Sequence, residues 1–304
     1  MSDTTPPLAS AIRKLRVGAT FAESHRLVFS HLSLLLKAAA VPYLVSMILT
    51  VLSLMAQPNL GLVVLVTILF FVPYTLFGVA WHRLTLLGPR VSAPRVTPIW
   101  KRRHWCFLGY ALAITAIGYG LWMVVTVLSL FLAMPLGESA MFASESPKLV
   151  IFIVVAAAIG ALGFAYLMMR FSFVFPAVAV GEAYGLKHAW RHTRGQGFRL
   201  IGLMILTALP ISLASWLLHL ILGFFIFEGA SFLAAMGDFR DATGLGDFVA
   251  ANLVPLIVLH GTSTVFNYLL MAVMVSAISI AFRTCTGWVP AGGGGAPGSE
   301  SNVG

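Results

Sequence analysis

The chain has 304 residues, of which 59% are apolar and only 10% carry a charge. Soluble domains average about 25% charged residues and roughly 45–50% apolar residues. The mean hydropathy of +0.95 therefore excludes a disordered protein, a nucleic-acid-binding domain and an ordinary cytosolic enzyme. The composition predicts a polytopic membrane protein.

Stretches without Asp, Glu, Lys or Arg define the predicted spans. One helical crossing needs about 20 apolar residues, because the hydrocarbon core is ~30 Å thick and a helix rises 1.5 Å per residue. The first stretch, 38–82, is twice that length and contains a polar turn with a proline at 56–59. The fold class predicted is all-α, a transmembrane bundle of six spans with interfacial amphipathic helices. The predicted spans are 35–56, 60–81, 106–132, 149–169, 200–226 and 251–281.

The distribution of basic residues predicts the orientation. Seventeen Lys and Arg residues fall on one side of the predicted spans and two, Lys148 and Arg240, on the other. Cytoplasmic loops of membrane proteins carry the excess of Lys and Arg, so both termini are expected in the cytoplasm. The predicted organisation is a cytoplasmic N-terminal arm with an amphipathic helix (1–34), a six-helix transmembrane domain (35–283) and a flexible cytoplasmic tail (284–304).

The N-terminal arm contains a candidate amphipathic helix. Thr20 and Glu23 have the spacing of a capping box, in which both side chains satisfy free N–H groups of the first helical turn. Phe21, Val28 and Leu32 would share one face of the helix that follows. Two interpretations remain open: a helix that lies on the inner leaflet, and a cytoplasmic extension of the first span.

The connection 170–199 contains the candidate lipid-binding residues. Lys187, Arg191 and Arg194 have the spacing i, i+4 and i+7, which predicts one helical face next to Trp190. With Arg170, they form a predicted binding site for anionic lipid headgroups, to which each basic residue contributes roughly 1 kcal/mol. The alternative is charge that sets topology only. The predicted partners are membrane lipids and not nucleic acid, and no protein partner is identified.

A polar cluster is predicted inside the last two spans. Ser212, Ser215 and His219 have helical spacing, as do His260, Ser263, Thr264 and Asn267. They could line a small cavity that opens outward, or they could form hydrogen bonds between helices. Two histidines are too few for a zinc site, so neither a metal nor a cofactor is predicted. No catalytic residue is predicted either, because the common catalytic motifs are absent from the sequence.

Two neighbouring motifs resemble a family of uncharacterised bacterial inner-membrane proteins, similar to the membrane domain fused to some glycerophosphodiester phosphodiesterases. The motifs are Arg170-x-Ser172-Phe173-x-x-Pro176-Ala177-x-Ala179-x-Gly181 and Gly185-Leu186-x-x-Ala189-Trp190-x-x-Thr193-Arg194-Gly195. Ala80-Trp81-His82-Arg83…Gly88 after the second span and Phe282-Arg283…Gly287 after the sixth also resemble this family, although the family more often has Tyr-Arg where this chain has Phe282-Arg283. The resemblance implies a helical bundle in a bacterial inner membrane but no reaction. A TIM-barrel catalytic domain needs about 250 residues outside the membrane, and this sequence does not contain them.

Three functions follow as hypotheses. The first is a non-catalytic integral membrane protein that contacts anionic lipid at the inner leaflet. The second is a small-molecule or lipid transporter or flippase with a polar path at His219, His260 and Asn267. The third is a membrane enzyme of lipid metabolism, which has the least support because no nucleophile–base pair is present.

Overall fold

The computed structural model describes residues 14–56, 59–89, 99–133, 147–226 and 251–290, and every regular element within them is helical. The first five helices are α1 (Val17–Ser30), α2 (Leu32–Met55), α3 (Leu60–Leu69), α4 (Phe71–Leu87) and α5 (Arg102–Ala133). The next five are α6 (Pro147–Phe171), α7 (Val174–Val180), α8 (Leu186–His192), α9 (Gly197–Ile226) and α10 (Leu253–Thr286). Residues 227–250, between the fifth and sixth predicted spans, and most of the predicted tail 284–304 lie outside the described residues.

Six helical segments are long and apolar enough to cross a membrane, which confirms the predicted number of spans. They are Leu32–Met55, Leu60–Leu87, Arg102–Leu128, Val154–Val180, Gly197–Ile226 and Leu253–Thr286. Several continue beyond the charge-free runs, because a charged side chain does not end the backbone hydrogen bonding of a helix. The architecture is that of a multi-pass membrane protein.

The second span consists of α3 and α4, and the fourth span consists of most of α6 followed by α7. The second span is interrupted at Phe70, between α3 and α4. Pro73 lies three residues later; it has no N–H to donate to the carbonyl of Leu69, and its ring crowds that carbonyl.

Asn59 caps the start of α3, since its side-chain oxygen accepts a hydrogen bond from the N–H of Leu62. The predicted turn before the second span is therefore followed by a conventional helix start.

Helix α10 is the centre of the bundle, with α1, α2, α4 and α9 packed around it. In its most apolar window 56% of the residues are buried inside the protein, against 11% for the third and fourth spans. The third and fourth spans pack mainly on each other and leave much of their surface for lipid. The last helix runs to Thr286, beyond the predicted end of the span at residue 281.

Three pairs of buried polar side chains join α10 to its neighbours. The Trp81 indole Nε1 donates to the Ser276 hydroxyl at 2.9 Å, and His82 Nδ1 lies 2.7 Å from the Ser279 hydroxyl. A third pair joins the Ser46 hydroxyl of α2 to the phenol of Tyr268, 2.9 Å apart. Because hydrocarbon offers no alternative partners, such bonds determine which helix faces meet.

The capping box predicted at Thr20 is wrong. Helix α1 begins earlier, at Val17, so Thr20 lies inside the helix and its N–H donates to the carbonyl of Arg16. No side chain caps this helix. The carboxylate of Glu23 instead forms an ion pair with Arg283 of α10, with 2.9 Å between the two charged groups.

The buried face of α1 also differs from the predicted apolar face. It consists of Thr20, Ser24 and Val28, which are spaced four residues apart, and the helix packs on α10 and α9. Small residues allow this close packing, while Leu32 remains 45% exposed. His31, with φ −126° and ψ 35°, interrupts the helix before α2. Helix α1 is therefore a separate part of the bundle and not a continuous extension of the first span.

Candidate functional site

Most of the described basic residues lie at one end of the bundle, called here the basic end. This end is formed by residues 14–31, the start of α2, the end of α4, the start of α5, residues 170–199 and the end of α10. Side chains tie these segments together: Arg83 donates to the carbonyl of Ala179, and Arg199 to the carbonyl of Leu15. The basic residues that the sequence predicts on one side of the spans therefore lie together at one end of the folded chain.

All five residues predicted to bind lipid headgroups surround one cavity at the basic end. This cavity, called here the basic pocket, has a volume of about 640 Å³. Its lining residues are Arg170, Lys187, His188, Trp190, Arg191 and Arg194. Small-molecule sites in proteins typically measure about 300–1,000 Å³, so the pocket is large enough for a headgroup.

Arg170 forms the floor of the basic pocket. It is the last basic residue of α6, where the helix dipole favours a cation, and only 4% of it is exposed. Its Nη1 donates to the Tyr166 hydroxyl at 3.2 Å, and its Nη2 to the Trp190 carbonyl at 2.6 Å. The guanidinium lies 4.0 Å from the centre of the Trp190 ring, which is a cation–π contact. Its Nε is buried without a hydrogen-bond partner in the described part of the chain.

The three other cations of the pocket come from α8 and the turn after it. Lys187 and Arg191 lie on α8, as predicted, but the helix ends at His192. The prediction that Arg194 shares their helical face is therefore wrong, because Arg194 lies in a turn that Gly195 closes with φ +73°. The turn nevertheless brings Arg194 to the same pocket.

Thr193 connects the two chain segments that carry these cations. It is fully buried, and its hydroxyl lies 2.9 Å from the carbonyl of Arg170 and 2.8 Å from the carbonyl of Ala189. The end of α6 and the end of α8 are thereby held together. This contact explains why residues 20 positions apart in the chain line one cavity.

No carboxylate of the described part of the chain lines the basic pocket. Within the described residues the only acidic side chains are Glu23 and Glu182, and both have other partners. Glu23 pairs with Arg283, and Glu182 accepts a hydrogen bond from the Trp288 indole at 2.9 Å. The four cations of the pocket consequently have no anionic partner among these residues.

The histidine at the end of α8 does not add to this charge. His192 does not line the pocket, and its Nδ1 lies 2.8 Å from the Tyr184 hydroxyl. Burial lowers the pKa of His192, and the positive charge of Arg191 lowers it further, although the His188 carbonyl opposes this shift. Burial likewise raises the pKa of Tyr184. Both groups are therefore uncharged near neutral pH.

The predicted intramembrane cluster forms a second, smaller cavity between α9 and α10, called here the polar groove. Its volume is about 260 Å³. Five of the seven predicted residues line it: Ser212, Ser215, His219, Ser263 and Asn267. His260 does not, because it is exposed on α10 and its Nδ1 bonds to the Leu256 carbonyl of its own helix. Thr264 likewise donates to a carbonyl of its own helix.

Tyr166 belongs to the candidate site but is not among the predicted residues. Its hydroxyl accepts a hydrogen bond from Arg170, which lies four positions later on α6. This i to i+4 spacing is the sequence signal from which the contact could have been predicted. Its ring also occupies the space that a side chain at Gly197, the first residue of α9, would need. An ideal Cβ on Gly197 would come 2.5 Å from the Tyr166 ring.

Replacing Gly197 by alanine is expected to displace Tyr166 and weaken its hydrogen bond to Arg170. We expect a loss of about 1–3 kcal/mol in the free energy of unfolding, the usual range for overpacking. Thermal unfolding in detergent measures this loss. Gly202→Ala on the same helix is the control, because no atom lies within 4 Å of the added methyl group. Equal stability of the two variants would contradict the close contact.

The fold and the basic pocket together define a multi-pass helical membrane protein with a concentrated cationic cavity at one end. Comparison with protein-family models, with curated proteins and with solved structures finds no match to this chain.

Proposed function

We propose that the protein is a non-catalytic integral protein of a bacterial inner membrane, with the basic end in the cytoplasm, whose basic pocket binds anionic lipid headgroups. The resemblance to the membrane domain of glycerophosphodiester phosphodiesterases is part of this proposal. The excess of Lys and Arg at one end supports the orientation, because cytoplasmic loops carry that excess. In the proposed orientation the pocket lies beside the anionic inner leaflet.

The observation that carries the proposal is four cations around one cavity without a carboxylate in the described structure. An anionic ligand would compensate this charge. Among the four cations, the buried guanidinium of Arg170 contributes the most binding free energy per contact with the ligand. Burial reduces the screening of its charge by water and salt. The three exposed cations can adjust to the ligand, since Lys and Arg side chains are long and flexible.

The test replaces Lys187, Arg191 and Arg194 together by Gln. If each contributes roughly 1 kcal/mol, the affinity for an anionic phospholipid falls about 100-fold, while the affinity for a zwitterionic phospholipid is unchanged. Native mass spectrometry of the purified protein, titrated with each lipid, measures both affinities.

The matched control replaces Arg16, Lys101 and Arg102 by Gln. These residues are exposed at the same end and carry the same total charge, but they do not line the pocket. The control variant is expected to keep the affinity within a few-fold of the original. An equal loss in both triple variants would show that general surface charge, and not the pocket, attracts the lipid.

The transporter hypothesis has one supporting observation, the polar groove. A transport path would also have to continue from the groove towards the basic end. In that direction lies an apolar cluster that includes Phe77, Trp81, Tyr268 and Ala272, all buried. The Tyr268 ring packs edge-on against Phe77 with 5.1 Å between ring centres. This packing favours the lipid-contact function over transport.

A further inference from the structure

The polar groove has features of a binding site that are independent of the basic pocket. It lies along the middle of the spans, since Asn267 is about 21 Å along the axis from the start of α10 at Leu253. Ile211, Trp216, Phe266 and Leu270 complete its lining. A small polar centre within an apolar frame is the usual construction of a ligand site.

His219 determines the hydrogen-bonding character of the groove. Its Nδ1 lies 2.6 Å from the carbonyl oxygen of Ser215. A carbonyl only accepts, so Nδ1 must carry the hydrogen, and in the neutral ring Nε2 then has the free lone pair. Nε2 is buried and has no partner among the described residues. His219, which lines the groove, therefore has a buried hydrogen-bond acceptor without a donor among the described residues.

The neighbouring polar groups do not supply this donor. No hydrogen bond joins the side chains of Ser212, Ser263 or Asn267 to another described residue, and the bonds of His219 stay within α9. The prediction that this cluster links the two helices by hydrogen bonds is therefore not confirmed in the described structure. In hydrocarbon an unpaired polar group is costly, so a ligand that pairs with these groups would bind favourably.

The groove is reached from the lipid side of the bundle. Trp216 in its wall is 59% exposed, and its neighbours Leu213 and Leu217 are 54% and 48% exposed. Lys, Arg, Asp and Glu are absent from the described residues that line the groove, which disfavours a charged headgroup. The occupant must therefore dissolve in the lipid phase, be uncharged and offer an O–H or N–H donor.

We propose that the polar groove binds an uncharged lipid that has a free hydroxyl group, with the hydroxyl donating to Nε2 of His219. Ser263 and Asn267 on α10 face the same cavity and can pair with the oxygen atoms of the ligand. The acyl or alkyl chain lies along the exposed apolar surface of α9.

The test compares 1,2-dioctanoylglycerol, which has a free hydroxyl group, with its 3-acetyl ester, in which that hydroxyl is acylated and has no hydrogen to donate. Native mass spectrometry of the full chain measures the affinity for each. The free alcohol is expected to bind about 10-fold more tightly, the difference that one hydrogen bond of ordinary strength provides. Replacing His219 by Phe is expected to abolish this preference.

His260→Phe is the matched control, since His260 lies at similar depth on α10 but outside the groove. This variant is expected to keep the 10-fold preference. The variant in which Lys187, Arg191 and Arg194 are replaced by Gln is also expected to keep the 10-fold preference. Failure of the basic-pocket proposal can therefore be distinguished from failure of the polar-groove proposal. Equal affinity for the alcohol and the ester, or an equal loss in both His variants, would overturn the proposal.

Discussion

Replacing Trp81 by alanine is expected to lower the free energy of unfolding by about 3–5 kcal/mol, the range for a large aromatic residue removed from a packed core. The Trp81 side chain is fully buried and stacks on Phe77, with ring centres 5.8 Å apart. It also donates the hydrogen bond to Ser276 that joins α4 to the central helix. The truncation leaves a cavity and an unpaired hydroxyl group at the contact between two spans. Unfolding in detergent, followed by near-UV circular dichroism, measures the loss.

Two further variants test the reason for this effect. Trp81→Phe keeps much of the packing and removes the hydrogen bond together with part of the buried ring, so we expect a smaller loss than for Trp81→Ala, about 1–2 kcal/mol. Trp122→Ala removes a tryptophan that is 41% exposed on the surface of α5, and we expect little change. If Trp122→Ala destabilised the protein as much as Trp81→Ala, the position of the core in this structure would be wrong.

Replacing Arg170 by methionine is expected to weaken anionic-lipid binding more than 10-fold, and more than any single change among the exposed cations of the pocket. The methionine keeps most of the apolar stem but removes the buried charge, both hydrogen bonds and the contact with the Trp190 ring. The connection between α6 and α8 should also loosen. Lipid titration by native mass spectrometry measures the affinity, and hydrogen exchange of the amides in residues 186–196 measures the loosening.

Arg170→Lys and Tyr166→Phe separate the two roles of the arginine. Lysine keeps the charge but lacks the planar fork that reaches both partners, so affinity should fall less while hydrogen exchange still increases. Tyr166→Phe removes one hydrogen bond and leaves the charge, so the affinity should change only a few-fold. Arg170→Met with unchanged lipid affinity would rule out Arg170 as part of the binding site.

The sequence predicted the membrane-spanning helices and the main residues of both cavities. The spans could be predicted because hydrocarbon requires long apolar runs and internally bonded backbones, and both requirements are local in the sequence. The basic pocket could be predicted in part because Lys187 and Arg191 are one helical turn apart. The same periodicity placed Ser212, Ser215 and His219 on the groove side of α9.

The burial of Arg170, the exclusion of His260 and the packing of α1 were not accessible from the sequence. The burial of Arg170 and the packing of α1 depend on contacts between residues far apart in the chain, such as Thr193 with Arg170 and Glu23 with Arg283, and the exclusion of His260 depends on which face of α10 meets α9. Lipid solvates apolar faces as well as a protein core does, so hydropathy alone does not distinguish a face that meets lipid from one that meets a neighbouring helix. Close packing and buried hydrogen bonds make that distinction, and they exist only when the helices are assembled.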